Sequence, residues 1–164
     1  MNLVYIGLGS NIGDRAGNIR RALAGLNGTE AFSLLRVSSF YRTAPVGYKE
    51  QAWFANAVAE GETSLPPSSL LKRLQLIERE MGRDTPFKWG PRNIDLDLLF
   101  YGDRILEEKG LTVPHPFADQ RRFVMEPLAE LVPEGVHPVT KRNFQEILKQ
   151  LGTDQFVEKM ETPS

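Results

Sequence analysis

Short apolar runs alternate along the chain with segments whose apolar residues recur at helical spacing, and this alternation predicts the secondary structure. Residues 2–8 form an apolar run that ends at Gly9, as is typical of a buried strand. Asp14 is suited to cap a helix, and apolar residues recur on one face of that helix from position 19 to 26. The chain is therefore predicted to begin with a strand and a helix.

The same reasoning predicts three more strands and three more helical segments. The strands are residues 32–41, 53–63 and 93–101, and the helices are a segment that starts with Ser64, Pro66 and Pro67 and ends at Met81, with shorter pieces near residue 123 and at 143–151. The dipeptide Gly102-Asp103 has the composition of a hairpin turn. This order indicates an α+β sandwich with helices on an antiparallel sheet. We expect one domain over residues 1–164, with the last dozen residues loosely ordered.

Composition and charge restrict the class of protein. The chain has 164 residues, of which 41% are hydrophobic and 25% charged, as in ordinary globular domains. Its 20 Lys and Arg against 21 Asp and Glu lack the basic excess of a protein that binds nucleic acid or an anionic membrane. The absence of cysteine excludes disulfides and thiolate chemistry. Without a signal peptide or a membrane-length apolar run, we expect a cytoplasmic protein that binds neither nucleic acid nor membrane.

The most informative segment is residues 89–101, in which Asp95 and Asp97 interrupt an apolar strand. Because alternate side chains of a strand share a face, Ile94, Leu96, Leu98 and Phe100 are expected to face the core. The two carboxylates would then face the other side together, roughly 7 Å apart. Neighbouring carboxylates repel unless a cation lies between them, and Mg²⁺ prefers such hard oxygen ligands. The alternative is two solvated aspartates on an open sheet face.

Basic residues surround this pair in the sequence and favour a polyphosphate partner. They are Arg83, Lys88, Arg92, His115, Arg121 and Arg122. Guanidinium groups bind phosphate oxygens in pairs and stay charged at physiological pH. On the residues alone, independently solvated surface charges are the alternative.

Polar side chains also occur on otherwise apolar faces of two predicted elements. On the helix that ends at position 81, Glu78 lies in the apolar arc and Gln75 borders it, so this carboxylate needs a hydrogen bond, a cation or a position at the rim. On the preceding strand, Phe54 and Asn56 share a face, which suits a flat heterocycle with polar edges. Phe123 is a second candidate aromatic, and core positions are the alternative for both phenylalanines.

The glycine-rich segment at residues 7–13 is not predicted to bind a dinucleotide. Three residues, rather than the two of the dinucleotide pattern, separate Gly9 from Gly13, and Asp14 is better explained as a helix cap. We expect a tight strand-to-helix turn that can line a site.

Several short segments belong to one pattern, and the resemblance that they carry extends along the chain to about Leu151. They are Gly9-Ser-Asn11, Ser39-Phe-Tyr-Arg-Thr43, Phe54-Ala-Asn56, Gly82-Arg83, Trp89-Gly-Pro-Arg92, Asp95-Leu-Asp97, Val113-Pro-His-Pro116 and Arg121-Arg-Phe123. Together they resemble the 6-hydroxymethyl-7,8-dihydropterin pyrophosphokinase family of folate biosynthesis.

This resemblance implies a ferredoxin-like α+β fold and an enzyme that transfers the terminal diphosphoryl unit of ATP to the pterin hydroxymethyl oxygen, releasing AMP. It implies two Mg²⁺ ions at Asp95 and Asp97, and a catalytic set formed by these two residues with Arg83 and Arg92. The expected partners are the small molecules ATP and hydroxymethyldihydropterin, and we expect a monomer. A non-catalytic nucleotide-binding regulatory domain of the same fold is the alternative function.

The resemblance also implies binding residues, by matching position. Those expected on the ATP side are Gln75, Glu78, Lys88, Trp89, Leu98, Leu111, Thr112, His115 and Arg121. Those expected to bind the pterin are Thr43, Val46, Phe54, Asn56 and Phe123, with the two phenylalanines on either side of the ring.

Overall fold

A computed structural model describes residues 1–44, 53–82, 93–152 and 155–160, which form an antiparallel sheet with helices on both faces. The elements are β1 (Asn2–Ser10), α1 (Arg15–Asn27), β2 (Phe32–Val37), β3 (Tyr41–Thr43), β4 (Phe54–Thr63), α2 (Pro67–Met81), β5 (Asp95–Tyr101), β6 (Leu106–Glu108), β7 (Leu111–Val113), α3 (Arg122–Leu131), α4 (Phe144–Gln150) and β8 (Val157–Lys159). A single 3-10 turn, Ala118–Gln120, precedes α3.

The topology of the main sheet is that of a ferredoxin-like sandwich. Its strand order is β5-β1-β4-β3-β8, with β2 also paired to β4, and every pair is antiparallel. The segment from β1 to β5 therefore gives the order β5-β1-β4-β2, in which α1 and α2 connect strands that are not neighbours. The predicted α+β class, with helices on an antiparallel sheet, is confirmed.

The helix boundaries follow the capping residues. The Asp14 carboxylate accepts the Gly17 N–H over 3.0 Å, as predicted for the start of α1. Asn18 then fixes the strand-to-helix turn, because its Nδ2 donates to Ser10 Oγ and to the Ile12 carbonyl. None of the helices in the described part of the chain has the length and apolar character that crossing a bilayer requires.

Two apolar clusters lie on opposite faces of the sheet. The larger one joins the sheet to α1 and α2 and includes Ile6, Leu74 and Leu98. The smaller one joins the other face to α3 and α4 and includes Met125 and Leu128. These two helices cover only part of their face, and the remainder holds the site described below.

A β-bulge in β5 corrects one prediction. Ile94, Leu96 and Leu98 face α2, as expected, but Tyr5 of β1 pairs with Phe100 while Ile6 pairs with Leu98. Leu99 is the extra residue, and after it the alternation reverses, so that Phe100 belongs to the cluster under α3 and α4. The prediction that Phe100 shares a face with Leu98 is wrong.

Tertiary pairing also changes three predicted boundaries. The predicted strand 32–41 is divided into β2 and β3, because Ser38 Oγ accepts the Val58 N–H and the Glu130 carboxylate accepts the Ser39 N–H. The turn at Gly102 does not join a hairpin with β5, because β6 pairs with β7 instead. Within the last dozen residues, for which we expected loose order, β8 pairs with β3.

Candidate active site

A cavity of about 250 Å³ opens on the uncovered part of the sheet face that carries α3; we call it the first cavity. Its walls come from β1, β3, β4 and β5 and from the beginning of α3. Seven residues that the sequence predicted for the site line it: Thr43, Phe54, Asn56, Asp95, Asp97, Arg121 and Phe123. The fold thus brings together residues as far apart in the sequence as Thr43 and Phe123, which are separated by 80 positions.

Glycines of β1 form part of the wall of the first cavity. Gly7 and Gly9 pair with Asp97 and Asp95 on the neighbouring strand, and both line the cavity. A Cβ atom on Gly9 would lie 2.7 Å from Asn56 Oδ1, so a side chain does not fit there without movement. The first part of the glycine-rich segment therefore lines this cavity, although its lining residues lie in β1 and not in the strand-to-helix turn.

A buried polar pair lies beside the aromatic residues of this cavity. Asn56 and Thr43 are 7% and 2% exposed, and Asn56 Nδ2 donates to Thr43 Oγ1 over 2.6 Å. Thr43 pairs across the strands with Phe54, whose ring also lines the cavity. The pair holds a carboxamide at the edge of an aromatic pocket, where it can recognise the polar rim of a heterocycle.

The two aspartates of β5 face the first cavity together, as the alternation predicted. Asp95 is half-buried, Asp97 is exposed, and Asp97 also lines a second cavity. In the described ranges, no group of three or more His, Asp or Glu side chains is placed to hold a metal ion. A cation held by these two carboxylates would complete its ligands with phosphate and water, which is the pattern that Mg²⁺ prefers.

The second cavity, of about 280 Å³, lies between α2, β5 and β7 on the far side of Asp97. Four residues that the sequence predicted for the ATP side line it: Leu98, Leu111, Thr112 and His115. Leu71 of α2 adds a further apolar side chain. Asp97 therefore lines two cavities, one with residues predicted to bind the pterin and one with residues predicted to bind ATP.

Hydrogen bonds define the state of His115. Its backbone N–H donates to the Leu99 carbonyl, and its Nδ1 accepts the Phe117 N–H over 3.2 Å. An Nδ1 that accepts is unprotonated, so the neutral ring carries its proton on Nε2. Burial lowers the pKa of His115 below its usual range; the Asp97 carboxylate opposes that shift and Arg121 adds to it. His115 is thus a neutral ring with one N–H to donate.

Arg121 lies close to two aromatic rings at the border of the first cavity. Its guanidinium carbon is 5.5 Å from the centre of the Phe123 ring and 5.3 Å from that of Phe117. Phe123 was predicted as a wall of the pterin site, whereas Phe117 was not singled out. Both rings are in the range of a cation–π contact.

The two predicted residues of α2 lie apart from these cavities. Gln75 is exposed, and neither Gln75 nor Glu78 is among the residues that line the two cavities. Glu78 Oε2 accepts the Leu96 N–H over 2.9 Å, on the peptide between the two aspartates. The hydrogen bond that the Glu78 carboxylate was predicted to need in the apolar arc is therefore donated by the backbone of β5, an edge strand of the sheet.

Five further predicted residues lie outside the described ranges and remain predictions. They are Val46, Arg83, Lys88, Trp89 and Arg92.

Sequence reasoning missed several residues, of which three are informative. Val58, which lines the first cavity, continues the alternation of Phe54 and Asn56 and was recognisable from that period. Leu99 reaches the cavity only because of the bulge, and Phe117 carried no sequence signal.

Paired carboxylates at one cavity, one of them shared with a second cavity, with an arginine and a histidine N–H beside them, are features of a phosphoryl-transfer enzyme on a ferredoxin-like sheet. The comparisons with known proteins are more specific. The model of the 7,8-dihydro-6-hydroxymethylpterin-pyrophosphokinase (HPPK) family matches residues 5–133, and the chain belongs to this family.

Relatives of similar length support this membership. A 2-amino-4-hydroxy-6-hydroxymethyldihydropteridine pyrophosphokinase of Bacillus subtilis is 44% identical over 161 residues, covering 95% of this chain and 96% of its own. The enzyme of the same name from Aquifex aeolicus is 41% identical over 146 residues, covering 89% and 90%. The predicted activity, pyrophosphoryl transfer from ATP to the hydroxymethyl group of the dihydropterin in folate biosynthesis, is confirmed.

Solved structures agree on the fold. The crystal structure of Plasmodium falciparum HPPK-DHPS A437G with STZ-DHP aligns with a TM-score of 0.72 at 16% identity over 91% of this chain. This chain spans 45% of that solved chain, so the likeness concerns less than half of that chain and shows the fold alone.

Proposed function

We propose that pyrophosphoryl transfer takes place at Asp97, with the pterin in the first cavity and ATP in the second. The observation that carries this proposal is that Asp97 lines both cavities. An acceptor hydroxyl and a donor phosphate that approach from the two sides would meet at the same carboxylate. Such juxtaposition accounts for much of the catalysis expected in phosphoryl transfer.

Asp95 and Asp97 are the residues that would hold the two Mg²⁺ ions. Both carboxylates line the first cavity and Asp97 also lines the second, so the remaining ligand positions would be left to phosphate and water. When bound, the metal neutralises phosphate charge and polarises the phosphoryl oxygens. The Glu78 carboxylate supports this pair, because it binds the peptide N–H between the two aspartates.

The pterin would be held by stacking and by its polar edge. Phe54 and Phe123 are the two aromatic residues among the described residues that line the first cavity, and a flat heterocycle between them would bury both of its faces. The pair of Asn56 and Thr43 offers amide and hydroxyl groups to the ring edge. Val46 is assigned to the same edge from the sequence.

ATP would be held by apolar contacts at one end and by cations at the other. Leu98, Leu111 and Thr112 would border the adenosine in the second cavity. His115 would donate its Nε2–H to a phosphate oxygen, and Arg121 would bind the phosphates with its guanidinium. Further ATP contacts are assigned from the sequence to Gln75, Lys88 and Trp89, and the transferring group to Arg83 and Arg92.

The proposed step conserves atoms and electrons. The hydroxymethyl oxygen forms a bond to the β-phosphorus, and the bond from that phosphorus to the bridging oxygen of the α-phosphate breaks. AMP leaves with that electron pair, and the hydroxyl proton passes to solvent. The chain's own residues orient the two reactants and counter the charge of the phosphates.

The test is to mix the protein with ATP, Mg²⁺ and hydroxymethyldihydropterin and to identify the nucleotide product. We expect AMP in equal amount to the pyrophosphorylated pterin, and no AMP after chelation of Mg²⁺, although the pterin still binds. ADP as the product would contradict the proposal. Nucleotide binding without turnover would favour the regulatory-domain alternative.

We also propose that the chain acts as a single-domain monomer in the cytoplasm. The described residues of one chain line both cavities, so the proposed site needs no residue of a second copy. Sedimentation at the mass of two chains, or fractionation with another compartment, would contradict this.

A further inference from the structure

Arg121 is held by aromatic rings rather than by carboxylates. Its guanidinium lies 5.3 Å from the Phe117 centroid and 5.5 Å from the Phe123 centroid, one ring on each of two neighbouring segments. Within the described ranges this guanidinium forms no ion pair with a carboxylate. The aromatic contacts therefore position the Arg121 guanidinium while its positive charge is left available to a substrate anion.

Phe117 is not a core residue. It is 48% exposed and immediately precedes the 3-10 turn Ala118–Gln120. Its ring centre lies 6.1 Å from that of His115, at an angle of 59°. Among the described residues, the Phe117 ring has a second such neighbour, the guanidinium of Arg121. An exposed phenylalanine with these two neighbours makes its contacts where the phosphates are proposed to bind.

The backbone of Phe117 contacts His115, which is the other residue proposed here to bind the phosphates of ATP. Its N–H donates to His115 Nδ1 over 3.2 Å, which leaves the imidazole proton on Nε2. Its carbonyl accepts the Gln120 N–H over 3.0 Å and closes the turn. One residue therefore contacts both His115 and Arg121.

We propose that Phe117 is a positioning residue of the reaction: its ring, together with that of Phe123, holds the Arg121 guanidinium at the border of the first cavity. This inference rests on the proposed role of Arg121 toward the phosphates of ATP. Two cation–π contacts restrict where a guanidinium can lie, while its N–H groups remain able to bind oxygen atoms. A side chain ordered in advance loses less entropy when phosphate binds.

The test compares side chains of similar size with and without a ring. Phe117→Leu keeps an apolar side chain but loses the π face, and we expect kcat/KM for ATP to fall about fivefold, as the loss of one cation–π contact implies. Phe117→Tyr keeps the ring and should match the parent enzyme. KM for the pterin should change less than twofold in both variants. The matched control is Phe156→Leu, at another exposed phenylalanine (50% exposed), which should have no effect.

A double-mutant cycle with Arg121→Ala separates positioning from general structural damage. We expect Phe117→Leu to have no further effect once Arg121 is absent. An equal fall in the Arg121→Ala background, no fall in the parent, or an equal fall in Phe117→Tyr would each overturn the inference. If Arg121→Ala itself leaves kcat/KM for ATP unchanged, the proposed role of Arg121 is wrong, which is a different result.

Discussion

The two faces of the main sheet are made from the same strands but have different chemistry. Toward α1 and α2, β1 presents Val4, Ile6 and Leu8, all at most 1% exposed. Toward α3, the intervening positions of β1 include Gly7 and Gly9, which line the first cavity. The first face is apolar and covered, whereas the second is partly open and polar.

The other central strands repeat this division. In β4, alanines at 55, 57 and 59 pack against α1 and α2, while Phe54, Asn56 and Val58 line the first cavity. In β5, Leu96 and Leu98 face α2, and the aspartates face the cavity. Alternate residues of one strand therefore serve different purposes, since one set packs in the apolar core and the other lines the candidate site. Substitutions on the two faces should therefore separate loss of stability from loss of activity.

The largest effect on the open face is expected for Asp97→Ala. Loss of a carboxylate shared by both cavities should lower kcat about 10²- to 10⁴-fold, because charge stabilisation by a metal site is worth several kcal/mol. Pterin affinity should change little, and stability should change by no more than about 0.5 kcal/mol, because Asp97 is exposed. Steady-state kinetics and pterin titration measure both. Asp103→Ala, at an exposed turn, is the control, and equal activity of Asp97→Ala and parent at saturating Mg²⁺ would contradict this role.

On the covered face, the corresponding variant is Leu74→Ala. Leu74 is fully buried between α2 and the sheet, so a cavity in its place should lower the free energy of unfolding by about 2–5 kcal/mol. The folded fraction should retain the parent KM values. Urea denaturation measures the first and kinetics the second. Leu76→Ala on the same helix, where the side chain is 38% exposed, is the matched control and should cost far less.

Gly9→Ala tests the need for an open wall beside Asn56. The added Cβ would lie 2.7 Å from Asn56 Oδ1 and should displace the carboxamide. We expect KM for the pterin to rise about tenfold, as overpacking costs about 1–3 kcal/mol, with kcat less affected. Gly28→Ala, at the end of α1 with ordinary contacts, controls for the effect of alanine on the unfolded chain. A pterin KM equal to that of the parent would remove this explanation of Gly9.

The smallest expected effect concerns Glu60, on the α3 side of β4 but away from the cavity. Arg36 binds its carboxylate through two hydrogen bonds of 2.9 Å, and Tyr5 Oη donates to it over 2.6 Å. The hydrogen bond from Arg36 is the main reason that the pKa of Glu60 is lowered, and burial opposes the shift. Glu60→Gln should lower stability by about 1 kcal/mol at pH 7.

The sign of its pH dependence follows from that lowered pKa. The contribution of Glu60 is complete above the unfolded pKa of about 4.3 and disappears as the pH falls through the folded value. The stability curves of parent and Glu60→Gln should therefore converge below about pH 4. Denaturation at a series of pH values measures this, and Arg36→Ala should move the loss to higher pH. Curves that stay parallel down to pH 3 would contradict the assignment.

Much of the fold was predictable because its signals are local. The cap at Asp14, the helix ending at Met81 and the alternation around Asp95 each depend on neighbours within a few residues, and all three are found in the structure. The family was predictable for a different reason, since short motifs keep their spacing along the chain.

What was not predictable depends on partners far along the chain. The break between β2 and β3 is stabilised by Val58 and Glu130, and the change of face at Phe100 follows from a bulge against β1. Strand β8 exists because β3 offers it an edge. None of these partners leaves a mark in the local sequence.

The class of fold, the family and the chemical types at the site could be read from the linear chain, because hydrophobic period, capping and motif spacing are properties of its residue order. That one carboxylate, Asp97, is shared by two cavities, and that Phe117 lies close to Arg121, became visible in the folded molecule. A cavity is the space between elements. Its shape depends on register, bulges and helix placement, which arise from packing the whole chain at once.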